Sequence, residues 1–309
     1  MRLELPPEIE NLLADFNQKP AMHQTPISEL RKMRSRLGVD EIFPVKDTKD
    51  IKITTREGAI SARIYHPFES TVKPSLLVFF HGGGFVFGGL EGYYDHVCRV
   101  LCGLANSVVV SVDYRLAPEH KFPAATNDAW DALNWSRDHC AQLAADERRL
   151  FVAGGSAGAN LAAVTALRVR DENKFKLQGQ VLFYPMTNYP EPPTDSYNEF
   201  KEGFYLTGKD IDWFWDQYLQ SASDRRHPYA APLQAKEFKN LAPAFVLTAE
   251  ADPLRDEAEA YAKRLQTAGI SVKLTRYKGM LHGFLAFSTP RAQDALAEAS
   301  DWIRRIKAS

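Results

Sequence analysis

The chain has 309 residues, 45% hydrophobic and 25% charged, a globular make-up with material for a large core. Its 38 Lys and Arg balance 39 Asp and Glu, a formal charge of −1 that argues against a nucleic-acid partner or an anionic membrane surface. No stretch approaches the ~18 apolar residues of a membrane span.

The opening residues, Met1 to Glu8, are acidic and broken by prolines, without the basic, apolar and small-residue order of a secretory signal. Cys98, Cys102 and Cys140 are too few, and odd in number, for a disulfide framework; they read as buried apolar residues, and a cytoplasmic protein with free thiols is expected. The first 45 residues read as short, partly helical segments punctuated by Pro6, Pro7, Pro20, Pro26 and Pro44. Asp50-Ile-Lys-Ile-Thr-Thr and Ser61-Ala-Arg-Ile-Tyr alternate with a period of two around Gly58, which predicts an antiparallel hairpin at a sheet edge.

Continuous apolar runs follow at Leu76–Phe80, Val108–Val112, Leu150–Ala153, Val181–Tyr184 and Ala244–Thr248. Runs without alternation suit strands buried on both faces, as in a parallel sheet. Helical stripes lie between and after them. Ala125, Ala129, Leu133, Cys140 and Ala144 form one. Ala258, Ala262 (with Tyr261), Leu265 and Ala268 form another, ended by Gly269. Ala292, Leu296, Ala299, Ile303 and Ile306 form a terminal one. Strand–helix alternation predicts one α/β domain over 1–309, a mostly parallel sheet with helices on both faces. From Thr187 to about Leu233 the rhythm breaks into a segment rich in Pro and aromatics, suited either to a lid over a site or to ordinary packing.

Phe151-Val-Ala-Gly-Gly-Ser156-Ala-Gly places Gly-x-Ser-x-Gly between a strand and a helical run, the setting of a nucleophile elbow. Small residues flank such a serine because it sits on a strained turn. His81-Gly82-Gly83-Gly84-Phe85 follows another strand. Its bare backbone N–H groups at Gly83 and Gly84, with that of Ala157, can surround an oxyanion. The glycine run is not a phosphate loop, since the Gly-Lys-Ser/Thr of that motif is absent. A serine needs a base, oriented in turn by a third group. Only His227 and His282 come after Ser156, and His227 precedes a proline inside the irregular insertion. His282 follows the predicted strand Ser271–Tyr277, in a loop at the carboxyl end of a strand where sites of open α/β sheets lie. Asp252 follows the strand Ala244–Thr248 and is the expected acid. Glu250 is the other candidate, and Asp256 is expected to cap the next helix. Phe85, Phe87 and Tyr93 near the glycine run, with Phe204 and Phe214 in the insertion, suit either pocket walls or core packing. The histidines and cysteines show no metal-ligand spacing, so neither metal nor cofactor is expected.

His81-Gly-Gly-Gly-Phe, Val112-Asp-Tyr-Arg-Leu-Ala-Pro-Glu-His120, the Ser156 elbow, Asp252-Pro-Leu-Arg-Asp and His282-Gly-Phe together resemble the hormone-sensitive-lipase-like family of α/β-hydrolases, the bacterial family IV esterases. The resemblance runs from about Ile51 to the C-terminus. It implies an α/β-hydrolase fold and a catalytic triad of Ser156, Asp252 and His282. It further implies an oxyanion hole at Gly83, Gly84 and Ala157, and a helical cap built from about 1–45 and 187–219. It points to a homodimer through the strand near 271–277. One departure stands out: Gly155 and Ala159 occupy elbow positions where the family usually has Asp or Thr and, in one form, Gly.

A serine carboxylesterase acting on short- to medium-chain acyl esters is the expected activity. An amidase, lactonase or arylformamidase could use the same triad. A non-catalytic receptor on this scaffold, as in the plant gibberellin receptors, would lack a complete triad.

Overall fold

The computed structural model describes residues 3–34 and 42–306. Of the cap expected over 1–45, residues 1–2 and 35–41 therefore lie outside the described residues. What remains there forms α1 (Pro7–Asn17), with Pro7 at its first position, and α2 (Ile27–Arg34). β1 (Asp47–Thr55) and β2 (Gly58–His66) then make the antiparallel hairpin, turning where Gly58 takes φ +129°.

After β3 (Ser75–Phe80) the chain alternates through α3 (Tyr93–Ala105), β4 (Ser107–Asp113), α4 (Ala124–Asp138), β5 (Asp146–Gly155), α5 (Ala157–Glu172) and β6 (Gly179–Phe183). α6 (Asp195–Phe200) and α7 (Gly208–Tyr218) interrupt, and β7 (Ala244–Ala251), α8 (Arg255–Thr267), β8 (Val272–Leu281) and α9 (Pro290–Arg305) complete the chain. The described strands form one eight-stranded sheet in the order β1-β2-β4-β3-β5-β6-β7-β8. β1–β2 and β2–β4 are antiparallel, and every other neighbour is parallel.

The period of two along each central strand builds two cores. Leu76, Val78, Phe80, Val152 and Val246 face α4, α5 and α8; Leu77, Phe79, Phe151, Val181 and Phe245 face α3 and α9. Ile211, Phe214, Trp215 and Tyr218 of α7 join the first core, so the segment expected to form a cap is continuous with that core.

Three boundaries differ from the sequence reading. α4 stops at Asp138; Cys140 is buried in the following turn and Ala144 is exposed at φ +56°, so neither belongs to the helical stripe. β5 begins at Asp146, ahead of its apolar run. β8 reaches Leu281, which brings His282 to the strand's very end.

Candidate active site

Ser156 sits between β5 and α5 at φ +56°, ψ −119°, a backbone region costly for a residue with a Cβ. The surroundings enforce it. A Cβ on Gly154 would lie 2.4 Å from the Gly158 backbone, and one on Gly158 only 2.0 Å from the Phe80 carbonyl oxygen. The elbow is further tied down by the Ser156 N–H donating to the Phe183 carbonyl (2.9 Å). Asn160 Nδ2, one turn into α5, donates to the carbonyls of Met186 (2.8 Å) and Ala230 (2.7 Å). Gly155 is less constrained: a Cβ there would meet Tyr94 Oη at 3.2 Å and the Tyr184 ring at 3.4 Å. Tyr94 and Tyr184 thus occupy the ground toward which a larger family side chain would point.

His282 Nε2 stands 2.9 Å from Ser156 Oγ, and its Nδ1 stands 2.8 Å from Asp252 Oδ2. Asp252 is fully buried, and its Oδ1 accepts the Leu254 N–H at 2.8 Å, which fixes the carboxylate plane. The Tyr184 ring meets the imidazole edge-on, centroids 5.0 Å apart. The other acids have different partners. Glu250 accepts the Gly279 N–H (2.8 Å). Asp256 accepts the Ser196 N–H (2.7 Å) and the Arg255 Nε–H (2.9 Å). Asp256 is not the helix cap expected of it. That place falls to Leu254, which makes no side-chain cap bond, because the Asp256 carboxylate is drawn to the insertion.

Two supports escaped the sequence reading. Glu257, buried in α8, accepts the N–H groups of Thr187 (2.5 Å) and Asn188 (3.0 Å), binding the start of the insertion to the acid-bearing segment. Burial pushes its carboxyl up to about 8, with the Asp252 charge adding to the rise and the two N–H bonds opposing it. Gly279 turns at φ +68°, where a Cβ would lie 2.7 Å from Pro6 Cδ and 3.0 Å from the Glu4 carbonyl oxygen. The segment ahead of α1 is thereby pressed on the end of β8.

The glycine loop lies against the serine: a Cβ on Gly82 would be 3.2 Å from Ser156 Cβ. Gly83 (φ +115°) and Gly84 (φ +59°) leave no room for side chains, which would strike the Phe87 carbonyl and the Phe214 ring at 2.1 Å. Among the described residues, the N–H groups of Gly83, Gly84 and Ala157 donate to no protein acceptor. His81 underpins the loop. Its Nδ1 carries the proton donated to the Gly82 carbonyl (2.8 Å), and its ring stacks on Tyr114 at 4.3 Å. Burial pushes the imidazole's pKa down, so it stays neutral.

These groups open onto a cavity of about 600 Å³. Phe87, Tyr93 and Phe214 line it, as do Met186, Leu206 and Ile211. Phe85 and Phe204, both candidates for its wall, do not. Phe85 takes φ +64°, and its ring turns into the core, stacked on Tyr218 at 3.7 Å. Phe204 packs edge-on against Phe200, while the next residue, Tyr205 (φ +71°), supplies the wall instead. Tyr94, Tyr184 and Tyr205 carried no local motif that would have marked them. Over the cavity, Arg31 donates to the carbonyls of Val86 (2.9 Å) and Ala117 (3.0 Å) and to Glu119 (2.7 Å). His23 meets the buried Asp210 of α7 through both its backbone N–H and Nδ1, at 2.8 Å.

Comparison with known proteins agrees with the fold. A family model described as the alpha/beta hydrolase fold matches residues 77–286. An arylesterase of Saccharolobus solfataricus is 36% identical over 288 residues, 92% of this chain and 93% of that protein. The carboxylic ester hydrolase LipN of Mycobacterium tuberculosis is 44% identical over 246 residues, 77% of this chain and 64% of that protein. The crystal structure of a hyperthermophilic esterase from the archaeon Pyrobaculum calidifontis superposes with a TM-score of 0.92 at 40% identity, covering 99% of this chain and all of that one. The chain belongs to the hormone-sensitive-lipase-like (family IV) esterases of the α/β-hydrolase superfamily, and is a carboxylic ester hydrolase.

Proposed function

We propose that Ser156, His282 and Asp252 hydrolyse short- to medium-chain acyl esters through an acyl-enzyme. The observation that carries the reading is the unbroken hydrogen-bonded line from Asp252 Oδ2 through His282 to Ser156 Oγ, at 2.8 and 2.9 Å. Ser156 Oγ attacks the ester carbonyl while His282 Nε2 takes its proton. Asp252 holds the proton on Nδ1 and stabilises the imidazolium that forms. The tetrahedral oxyanion lies against the N–H groups of Gly83, Gly84 and Ala157, each contributing on the order of 10²–10³ in rate. His282 then protonates the departing alcohol, and in the second half-reaction it activates the water that releases the acid.

The preference for shorter chains is supported by the limited cavity of about 600 Å³, walled by Phe214, Leu206 and Ile211 on a cap pinned by Arg31 and His23. Ser156→Ala is expected to abolish hydrolysis of p-nitrophenyl butyrate and labelling by a fluorophosphonate while the melting temperature holds. Retained turnover would remove the serine from the mechanism. Across p-nitrophenyl esters of rising length, kcat/KM is expected to peak at short to medium chains. A maximum at long chains would refute the chain-length assignment.

The same reading extends to assembly and compartment. The free edge of β8, which presents Leu274 to solvent, suits a homodimer. The three unpaired, buried cysteines suit the reducing cytoplasm. Among the described residues, no helix is long and apolar enough to cross a membrane.

A further inference from the structure

We propose that the end of the cavity beyond the glycine loop is a subsite for a hydroxyl group carried on the acyl chain, with Asp113 and Ser61 as its hydrogen-bonding partners. The proposal rests on the ester-hydrolase reading of Ser156.

Lys52 pairs with Ser61 across β1 and β2, and Ser61 pairs with Asp113 across β2 and β4. Directly paired residues share a face, so the three side chains stand in one row across three strands. All three line the cavity, whereas Ile53, Ile60, Ala62 and Val112 beside them are buried and apolar. Lys52 Nζ donates to Ser61 Oγ at 2.8 Å, which leaves the serine's own proton for another acceptor. Asp113 is half-buried, and among the described residues its carboxylate has no hydrogen bond or ion pair. It faces the glycine loop: a Cβ on Gly89 would lie 3.6 Å from Asp113 Oδ1. The other acids at this end, Asp50 and Glu91, are committed to Arg63 at 2.6 and 2.8 Å. The charges that act on Asp113 are those of Lys52 and His81, and neither gives it a hydrogen bond; a desolvated carboxylate without one, beside a hydroxyl with a spare proton, is an unfilled hydrogen-bonding site.

The sheet order says which half of the substrate reaches it. The row lies on the β4 side of β3 and its glycine loop, and His282 hangs from β8 at the opposite end of the sheet. The leaving alcohol must lie where His282 can protonate it, so the acyl chain extends the other way, over the glycine loop. The chemistry of the row selects the functional group. With Lys52 and Asp113 in one row their charges offset, so neither an ammonium nor a carboxylate gains a net attraction there. A neutral hydroxyl satisfies both partners, donating to Asp113 and accepting from Ser61.

The test compares kcat/KM for the p-nitrophenyl esters of hexanoate, 6-hydroxyhexanoate, 6-aminohexanoate and the adipate half-ester. All four carry the same reacting ester, so a general loss of activity cancels in their ratios. The wild type is expected to favour the hydroxy ester over the other three. The hydroxyhexanoate-to-hexanoate ratio should fall by about tenfold in Asp113→Ala, where a hydrogen bond to a charged group is lost, and by roughly threefold in Ser61→Ala. Preference for the amino or adipate ester, equal use of hexanoate and hydroxyhexanoate, or ratios unchanged in both variants would overturn the subsite. Failure of the wild type to cleave any of the four, with Ser156 unlabelled by a fluorophosphonate, would overturn the esterase reading itself.

Discussion

Glycine does two different jobs around Ser156. At 154 and 158 the missing side chain is what lets β5, α5 and β3 approach, since a Cβ would collide with backbone at 2.4 and 2.0 Å. At 155 the nearest obstacle is the Tyr94 hydroxyl at 3.2 Å, the far end of a side chain that can shift. Gly158→Ala is therefore expected to lower the melting temperature steeply or prevent folding, whereas Gly155→Ala costs about 1 kcal/mol or less. Thermal melts of the two variants check this, and equal losses would contradict it. The contrast also explains what the sequence could reveal here. Gly-x-Ser-x-Gly and the glycine run announce themselves because backbone strain and close approach restrict residue choice. Tyr94, Tyr184 and Tyr205 reach the cavity through packing and single turns, which leave no local signature. Phe85 was left open between pocket wall and core packing for the same reason: adjacency to the glycine run says nothing about which way a residue at φ +64° throws its ring.

At the scale of elements, the strands were legible because burial on both faces forces unbroken apolar runs, and the helices because only one stripe is buried. Their ends were less so. The stripe of α4 appeared to continue through Cys140 because a buried turn residue obeys the same apolar preference as a helical one. The link between α8 and the insertion was invisible, as its key member is a charged residue inside a helix. Glu257 keeps its proton to about pH 8 when folded and releases it near pH 4.5 when unfolded. Between those values the folded state binds more protons, so this group's contribution to stability is present at low pH and declines as pH rises toward 8. Glu257→Gln keeps an acceptor for the Thr187 and Asn188 N–H groups without a charge to bury. Its melting temperature relative to wild type is expected to rise between pH 5 and 8.5, by on the order of a few degrees. A difference that shrinks with pH would show that the carboxylate is held ionised.

For the molecule as a whole, the sheet divides the interior into two apolar layers, and α7, in the segment proposed as a cap, shares one of them with α4, α5 and α8. A cap packed into the main core, rather than laid over it, is expected to melt with the sheet. Calorimetry should give a single endotherm, and an earlier separate peak would show an independently folding lid. Ser156, Asp252 and His282 hang from β5, β7 and β8, whose mutual register is set by parallel pairing. The residues are distant along the chain but are aligned by the sheet, which is why their positions at the ends of predicted strands singled them out in the sequence.

The docking of Glu4 and Pro6 on Gly279 has a practical meaning. The segment ahead of α1 braces the strand that carries His282 three residues later. Trimming those residues, or crowding them with an appended peptide, is expected to loosen His282, the proposed general base, from a distance while leaving Ser156 and Asp252 in place.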